Sequence, residues 1–497
     1  MTNYDILIIG SGLGGLLSAH ILSKEGYRVC VVEKHKQIGG CLQTFKRHGC
    51  IFDTGVHYVG SLDRGQLTHQ FFSYFNLIDR IKLKRMDADG FDQIHFNESS
   101  FRYPMGYERL NEALLERFPE EKSAILGFSE KMQTVVDSLD LFHLRIPKTT
   151  VSLNPYFSIN FNDYLNQITA NQSLIDIFAG LNFLHAGTTQ STSLYLHATV
   201  FHSFICSAWR LVDGSSQMAD TLAEDIRDQG GTIISNNGVS EIHIKSGKVE
   251  SVELASGDRL TADQFISNAH PSATLRLIDP QHLKKPYWKR IDKLPNTIST
   301  FTVYACLEKD RYPYENHNTY RIKSNSLWNN RKRSSETWPE GYMFLTPAHS
   351  ESETHASCAI IMTFMDYEEV AKWEGTEIGK RGDTYEAFKQ RKAEQLLDAV
   401  ENDRPGFRQS IKKIYTSTPL TYKDYTGTKE GSIYGISRDC NDPIRSYIPT
   451  RTKIPNLYLT GQNIGMHGVL GVTVGAVQTC AEFLGLEYLI RKIRAAS

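Results

Sequence analysis

Three glycines near the start of the chain have the spacing of a loop that binds phosphate. Gly10, Gly12 and Gly15 form the pattern G-x-G-x-x-G. In such a loop the first glycine permits a tight turn, the second lets the backbone approach a pyrophosphate, and the third allows a helix to pack closely. Glu33 follows, and a carboxylate there accepts hydrogen bonds from ribose hydroxyls and repels a 2′-phosphate. These residues predict a site for an adenine dinucleotide without that phosphate.

The elements around the loop must hold it in place. An apolar run at 4–9 predicts a strand, helical spacing over 13–21 predicts a helix, and a β-branched run at 28–33 predicts a second strand. The order strand, helix, strand is the βαβ unit of a Rossmann-type fold. It places the glycines at the first turn and directs the N-terminus of the helix at the phosphate charge.

The residues that follow carry a resemblance to a known family. Gly39 and Gly40 come after the second strand, and the segment Phe52-Asp53-Thr54-Gly55-Val56-His57-Tyr58-Val59-Gly60 comes soon after them. The N-terminus resembles the FAD-dependent amine oxidase and phytoene desaturase superfamily. The run from 39 to 60 resembles the retinol saturase and carotenoid isomerase family within it. The resemblance implies FAD as the cofactor, with the second glycine pair beside its phosphates and ribityl chain and 53–57 near the isoalloxazine.

A second region of resemblance lies near the C-terminus. A short predicted strand at 457–459 leads into Gly461, Gln462 and Asn463, and glycines recur at 465, 468, 471 and 475. This resembles the last FAD motif of the family. Many relatives have Asp where Gln462 stands, and the retinol saturase subset has Gln and then Asp. Here Asn463 takes that Asp position, where an amide can still accept a hydrogen bond from the ribityl chain but contributes no charge.

The motifs and the resemblance together imply a set of cofactor-binding residues, in which Val239 contributes backbone groups at the adenine edge. The set is Gly10, Gly12, Gly14, Gly15, Glu33, Lys34, Gly39, Gly40, Gly55, Val239, Gly461, Gln462, Asn463 and Val469. A saturase also needs a proton donor, and the resemblance places His57, Tyr58 and His467 nearest the flavin ring. No metal ligand set is signalled.

The three regions of FAD motifs predict a discontinuous domain. The predicted fold class is α/β, with an amine-oxidase-like, Rossmann-type FAD domain over 1–95, 205–285 and 415–497. The intervening segments, 96–204 and 286–414, are assigned to a mixed α+β substrate domain. Helical periodicity runs through 107–139, and strands are predicted at 232–235, 239–244, 248–254, 264–268, 298–307 and 357–365.

The resemblance implies a flavoenzyme that acts on C=C or adjacent C–C bonds of a long lipophilic polyene. Because the flavin carries the hydride, the protein supplies position and polarity. Only one dinucleotide fingerprint occurs, which favours an external electron donor or acceptor over NADPH. Two alternatives stay open: an FAD-dependent amine oxidase, and a non-catalytic flavin protein that binds lipid.

Composition limits the other classes of function. Lys plus Arg number 55 and Asp plus Glu 56, and this balance, with no nucleic-acid fold signature, argues against nucleic acid as a partner. The eight Cys include no CxxC pair and fit a reducing, cytoplasmic location. No window offers about 18 uninterrupted apolar residues. Two basic stretches with aromatics, 284–290 and 328–333, suit peripheral contact with anionic lipid headgroups, or are solvated charged loops.

Overall fold

The computed structural model describes residues 3–96, 99–146, 154–322 and 338–496. The basic stretch at 328–333 lies outside these ranges. The strands are β1 Asn3–Ile9, β2 Val29–Val32, β3 Thr44–Arg47, β4 Cys50–Asp53, β5 Val59–Gly60, β6 Leu83–Arg85, β7 Asp92–Phe96, β8 Ser99–Tyr103, β9 Ala208–Leu211, β10 Thr232–Ile234, β11 Val239–Lys245, β12 Lys248–Leu254, β13 Arg259–Ser267, β14 Ser299–Leu307, β15 Asn318–Ile322, β16 Gly341–Leu345, β17 Cys358–Met365, β18 Ile411–Ser417 and β19 Leu457–Leu459.

The α-helices of the described ranges connect and cover these strands. They are α1 Leu13–Lys24, α2 Leu67–Tyr74, α3 Tyr107–Arg117, α4 Lys122–Asp137, α5 Phe161–Ile168, α6 Gln172–Phe178, α7 Leu194–Cys206, α8 Ser216–Asp228, α9 Pro271–Arg276, α10 Lys285–Asp292, α11 Asp383–Asp403, α12 Pro419–Thr426, α13 Pro443–Ser446, α14 Gly468–Leu484 and α15 Leu486–Ala495. The periodicity over 107–139 belongs to two helices, α3 and α4. They are separated at Pro119 because proline has no N–H to continue the ladder of hydrogen bonds.

The first sheet contains the glycine loop. Its order is β10-β2-β1-β13-β12-β11, with β19 also paired to β13. The pairs β1–β2, β1–β13, β2–β10 and β13–β19 are parallel, and the β11–β12 hairpin extends the sheet in the antiparallel sense. The predicted βαβ unit of β1, α1 and β2 is therefore confirmed. Carboxyl ends of β1, β2, β13 and β19 meet at one edge, where ligands bind in doubly wound sheets.

The second sheet forms a wall of the interior. Its order is β18-β14-β17-β16-β15-β7-β8, and β14, β16 and β17 are buried along their whole length. Alternate side chains point to opposite faces. Tyr320, Met343 and Met362 belong to one hydrophobic cluster, whereas Phe344 and Ile361 belong to another that packs against α11. The second sheet is thus covered on both faces.

The two sheets draw on interleaved parts of the chain. The first takes its strands from 3–32, 232–267 and 457–459, and the second from 92–103, 299–365 and 411–417. The proposed division into an FAD domain and a substrate domain stays a prediction. Two of its boundaries, at residues 95 and 414, fall inside β7 and β18 of the second sheet, so an element-based division would move both.

Candidate functional site

A single large cavity reaches from the first sheet to the second. Its volume is about 460 Å³. Ile9 and Val32, at the carboxyl ends of β1 and β2, line one end, and Met343 and Met362 on the second sheet line the other. Every cofactor-binding and proton-donor candidate named from the sequence lines this cavity except Gly15.

The glycine loop leaves no room for side chains. A Cβ on Gly12 would lie 2.6 Å from the Asn268 Nδ2, and one on Gly14 would lie 2.8 Å from the Cα of Gly461. Gly15 faces away from the cavity, and a Cβ there would collide with the carbonyl oxygen of Gly10. The loop therefore packs α1 against β1 through Gly15 and exposes backbone to the cavity through Gly12 and Gly14.

Glu33 ties the glycine loop to the end of β2. Its Oε2 accepts hydrogen bonds from the Ser11 backbone N–H at 2.9 Å and the Ser11 hydroxyl at 2.6 Å, and its Oε1 accepts from the His35 N–H at 2.8 Å. The carboxylate is buried at the cavity edge. The neighbouring Lys34 donates its Nζ hydrogen to the Asp424 carbonyl at 2.8 Å, and burial lowers its pKa. This end of the cavity has the carboxylate expected for ribose recognition.

The second glycine pair folds against the first. Gly39 forms a parallel bridge with Gly12, and its N–H donates to the Ser11 carbonyl at 3.1 Å. A Cβ on Gly40 would lie 3.1 Å from the Cα of Gly12, and one on Gly55 would lie 3.0 Å from the Cys41 Cβ. Backbone from both glycine segments therefore faces the same part of the cavity, which suits a ligand with a phosphate group.

The C-terminal motif closes the cavity from another side. Gly461, Gln462 and Asn463 follow β19 and line it, and Val469 lies in the first turn of α14. The Asn463 Oδ1 accepts a hydrogen bond from the Ile436 N–H at 2.9 Å. One lone pair of this amide oxygen is thus occupied by the protein, which leaves one for a ligand.

The part of the cavity beside the second sheet is apolar. Phe183, Leu184, Phe204, Met343 and Met362 line it. Among the described residues that line the cavity, Glu33 is the only acidic residue and Lys34 is the only lysine or arginine. Both lie at the β2 end. The cavity therefore joins a polar end that suits a dinucleotide to an apolar end that suits a hydrocarbon.

His57 and His467 are neutral imidazoles at neutral pH. Burial, with a smaller contribution from Arg210, lowers the pKa of His57 to about 4, and burial, with a smaller contribution from Arg438, lowers that of His467 to about 3. Neither His57 ring nitrogen has a protein hydrogen-bond partner among the described residues, and the His467 Nε2 has none. His467 packs against Tyr434 with ring centroids 4.4 Å apart. Both rings can accept a hydrogen bond or donate one from their single N–H, but neither is a strong acid.

Tyr58 belongs to a buried polar cluster. Its hydroxyl donates to the Asp92 Oδ2 at 2.8 Å and lies 2.9 Å from the Tyr320 hydroxyl. Its ring packs against Phe204 with centroids 4.4 Å apart. The three sequence candidates for proton transfer therefore line one cavity but differ in their partners.

Sequence reasoning missed several residues of the site. Asn268 fills the space between Gly12, Gly14 and Gly461. The sequence alone indicates only that it ends the strand predicted at 264–268. Tyr422, Tyr434 and other residues of 422–434 also line the cavity. A polar residue directly after a strand of the nucleotide-binding sheet was the one signal that could have identified Asn268.

The glycine segments at the polar end of the cavity, called the glycine cradle from here on, have the chemical groups that FAD requires. The glycine cradle offers backbone where a Cβ would collide, a buried carboxylate at the end of β2, and the N-termini of α1 and α14. Helix N-termini and free backbone N–H groups stabilise phosphate and negative charge. FAD would be held by Gly12, Gly14, Glu33, Gly40 and Gly461 at its polar end.

Comparison with known proteins gives consistent results. The chain is 26% identical to all-trans-retinol 13,14-reductase of Rattus norvegicus, with 99% of this chain and 88% of that protein covered. It is 24% identical to the chloroplastic prolycopene isomerase of Daucus carota, with coverage of 97% and 81%. The solved structure of putrescine oxidase with putrescine bound superposes with a TM-score of 0.62 at 15% identity, covers 97% of this chain and 99% of that one, and shows the shared fold.

A family model matches nearly the whole chain. Residues 13–480 match the model described as flavin containing amine oxidoreductase. The match confirms the predicted α/β fold class, the FAD cofactor and the enzyme class, an FAD-dependent oxidoreductase. The chain belongs to the family of flavin-containing amine oxidoreductases.

Proposed function

We propose that this enzyme changes the saturation or geometry of carbon–carbon bonds in a lipophilic polyene. The observation that carries the proposal is the apolar end of the cavity, where Phe183, Phe204, Met343 and Met362 form walls without a charged residue in the described ranges. A conjugated hydrocarbon needs such a surface and little acid–base help, since charge that develops beside a polyene is delocalised. The names of the reductase and isomerase relatives support the same substrate class.

An amine substrate fits the cavity less well. An aliphatic amine is a cation at neutral pH, and a carboxylate beside it would offset the cost of burying that charge. The one acidic residue among the described lining residues, Glu33, is already bonded to Ser11 and His35 at the dinucleotide end. Lys34, the one lysine among the described lining residues, also lies at the dinucleotide end and is bonded to Asp424. The described lining residues at the apolar end therefore include neither an acidic residue nor a lysine.

The chain's own residues have separate roles in this proposal. When bound, FAD accepts or donates a hydride. The glycine segments and Glu33 hold the dinucleotide, the apolar walls orient the polyene and exclude water, and His57, Tyr58 and His467 are the groups that can hold or move a proton. Electrons enter or leave through an external partner, because the sequence has one dinucleotide fingerprint and FAD occupies that site in this proposal.

An anaerobic spectrum tests the function. The holoprotein is first reduced with dithionite and then mixed with liposomes that carry all-trans-retinol or a carotene. We expect it to regain its oxidised flavin bands while the polyene absorption shifts. If the reaction is saturation, the shift is to shorter wavelength. Putrescine serves as the amine control and should leave oxidised flavin unreduced. NADPH should reduce the flavin slowly. Flavin that putrescine bleaches, with all polyenes unchanged, would contradict the proposal.

Helix α10 is the proposed membrane-contact surface. None of the helices in the described ranges is both long and apolar enough to span a bilayer. Lys284, Lys285 and Lys289 are exposed, whereas Tyr287 and Trp288 are partly buried and pack against the core, so the lysines are the groups available to lipid headgroups. Charge alone then drives the contact.

A vesicle assay tests this surface. We expect the protein to sediment with phosphatidylserine vesicles at low salt and to be released by high salt, since exposed charges are screened. Replacement of the three lysines with glutamate should abolish sedimentation, and a control with the exposed Lys122, Lys245 and Lys248 replaced should not. Equal sedimentation of both triple variants would contradict a role for α10.

A further inference from the structure

Tyr58 differs from the other candidate proton donors in being joined to a buried acid. Its hydroxyl is bonded to Asp92, whereas the rings of His57 and His467 have unpartnered nitrogens among the described residues. Asp92 is fully buried, and Tyr320, which contacts the same hydroxyl, is 1% exposed. A buried, ionised carboxylate without a cation beside it is energetically costly, so Asp92 is a candidate for a carboxylic acid that holds a proton.

The surroundings of Asp92 favour its neutral form. The Asn318 Nδ2 donates to the Asp92 Oδ1 at 2.8 Å and the Tyr58 hydroxyl to the Oδ2, so both hydrogen-bond donors are uncharged, and Arg210 acts on Asp92 only at longer range. Burial raises the pKa of Asp92 to about 7, although hydrogen bonds from Tyr58 and Asn318 and the more distant Arg210 oppose the rise. Asp92 can therefore be both protonated and deprotonated near neutral pH.

Strand register explains how the cluster forms beside the cavity. Asp92 on β7 is the direct partner of Asn318 on β15, and Tyr320, two residues along, lies on the same face. Tyr320 is paired in register with Met343, which lines the apolar end of the cavity. The second sheet thus holds the acid directly behind Tyr58.

We propose that Tyr58, Asp92 and Tyr320 form a proton relay, in which Tyr58 is the acid that contacts the polyene and Asp92 and Tyr320 are positioning residues that restore its proton. The relay rests on the proposed function and adds the group that completes saturation. Asp92 supplies the proton, and Tyr320, whose hydroxyl lies 2.9 Å from that of Tyr58, fixes the orientation of the Tyr58 hydroxyl.

The proton and electron balance of the step is simple. One carbon of the C=C bond receives a hydride from reduced flavin, whose electrons come from dithionite in the test below. The other carbon receives the Tyr58 hydroxyl proton, and a C–H bond forms as the O–H bond breaks. The Asp92 carboxylic acid then passes its proton to the Tyr58 oxygen and becomes a carboxylate. Desaturation runs the same transfers in reverse.

Within the cluster, Asp92 is the group that titrates near neutral pH. The titratable groups that face it are Tyr58, Tyr320, Tyr103 on the neighbouring β8 and, at longer range, Arg210 on β9. Burial raises the pKa of all three tyrosines well above the usual 10, so they stay protonated at rest. Above the pKa of Asp92 the relay loses its proton supply, and turnover in the saturating direction falls.

Infrared spectroscopy tests the acid without any substrate. At pH 5 the holoprotein should show protonated-carboxyl C=O absorption from two buried acids, Asp53, whose pKa burial raises to about 6, and Asp92, and we expect the Asp92 band to disappear with a midpoint near its pKa of about 7. The band should be absent in Asp92→Asn, which keeps the shape of the side chain and its bond from Asn318. A wild-type protein without such a band would overturn the relay.

Single turnover tests the transfer itself. We expect reduced Tyr58→Phe to convert all-trans-retinol about 100-fold more slowly than wild type, within the usual range for losing an acid catalyst. Asp92→Asn should lose the fall in rate above pH 7, and Tyr320→Phe should slow the step less than Tyr58→Phe does. Tyr103→Phe is the matched control, because its buried hydroxyl donates to the Ile177 carbonyl outside the cluster.

The outcomes separate the two proposals. A wild-type protein that converts the polyene no faster than Tyr58→Phe would overturn the relay and leave the function intact. A wild-type protein that converts no polyene would overturn the proposed function and the relay's role in it. The infrared band would then still report whether Asp92 exchanges a proton in this protein.

Discussion

Replacement of Gly12 with valine is expected to give a folded protein without yellow colour. A Cβ at this position already lies 2.6 Å from the Asn268 Nδ2, and the two methyl groups of valine would extend further into the cradle. The backbone φ of Gly12 is −60°, so the loss arises from occupied space and not from strain. We expect bound flavin to fall below about one tenth of the wild-type level, because the dinucleotide needs the bare backbone here.

Gly127→Val is the matched control for this experiment. Gly127 lies within α4, and a Cβ there would meet no atom within 4 Å. The measurement is the ratio of flavin to protein absorbance after gel filtration, with circular dichroism to show that both variants fold. A full complement of flavin in Gly12→Val would contradict the assignment of the loop.

Replacement of Val200 with tryptophan is expected to separate substrate use from cofactor binding. Val200 lies on α7, is 8% exposed, and lines the cavity with Phe204 one turn away. A tryptophan there would occupy space that the polyene needs, whereas the glycine cradle lies at the other end. We expect normal flavin content and turnover of all-trans-retinol lowered about 100-fold, since cavities of this kind are shaped to their ligand.

Leu126→Trp provides the comparison for bulk alone. Leu126 lies on α4 with 40% of its surface exposed, so a larger ring there meets solvent. Initial rates with each variant, per bound flavin, give the effect. Equal loss of flavin and turnover in Val200→Trp would mean that the two ends of the cavity are not independent sites.

Local patterns in the sequence predicted the nucleotide-binding part of the fold well. The strand at 248–254 has the predicted limits, and β1, β2, β10 and β13 lie where the apolar runs indicated. Such elements follow from periodicity and from glycines whose spacing is fixed by the ligand. The site residues implied by the motifs, apart from Gly15, share one cavity for the same reason, while their individual roles stay predictions.

The polar cluster behind Tyr58 could not be predicted from the sequence. Asp92 is one of 56 acidic residues, and its partner Asn318 is 226 positions away. Only the parallel register of β7 and β15 brings them together, and that register depends on the whole sheet. The packing of Tyr287 and Trp288 on the core could not be predicted either, because a helix with basic neighbours gives no sign of which face packs on the core.

The interleaved order of the strands has a consequence for biosynthesis. The glycine loop is translated long before its facing residues, Asn268 and Gly461, emerge from the ribosome. β1 cannot pair with β13, nor β13 with β19, until most of the chain has been made. Contacts between distant parts of a chain form slowly and leave apolar strands exposed in the meantime. Cofactor loading is therefore expected to be a late event that follows the synthesis of most of the chain.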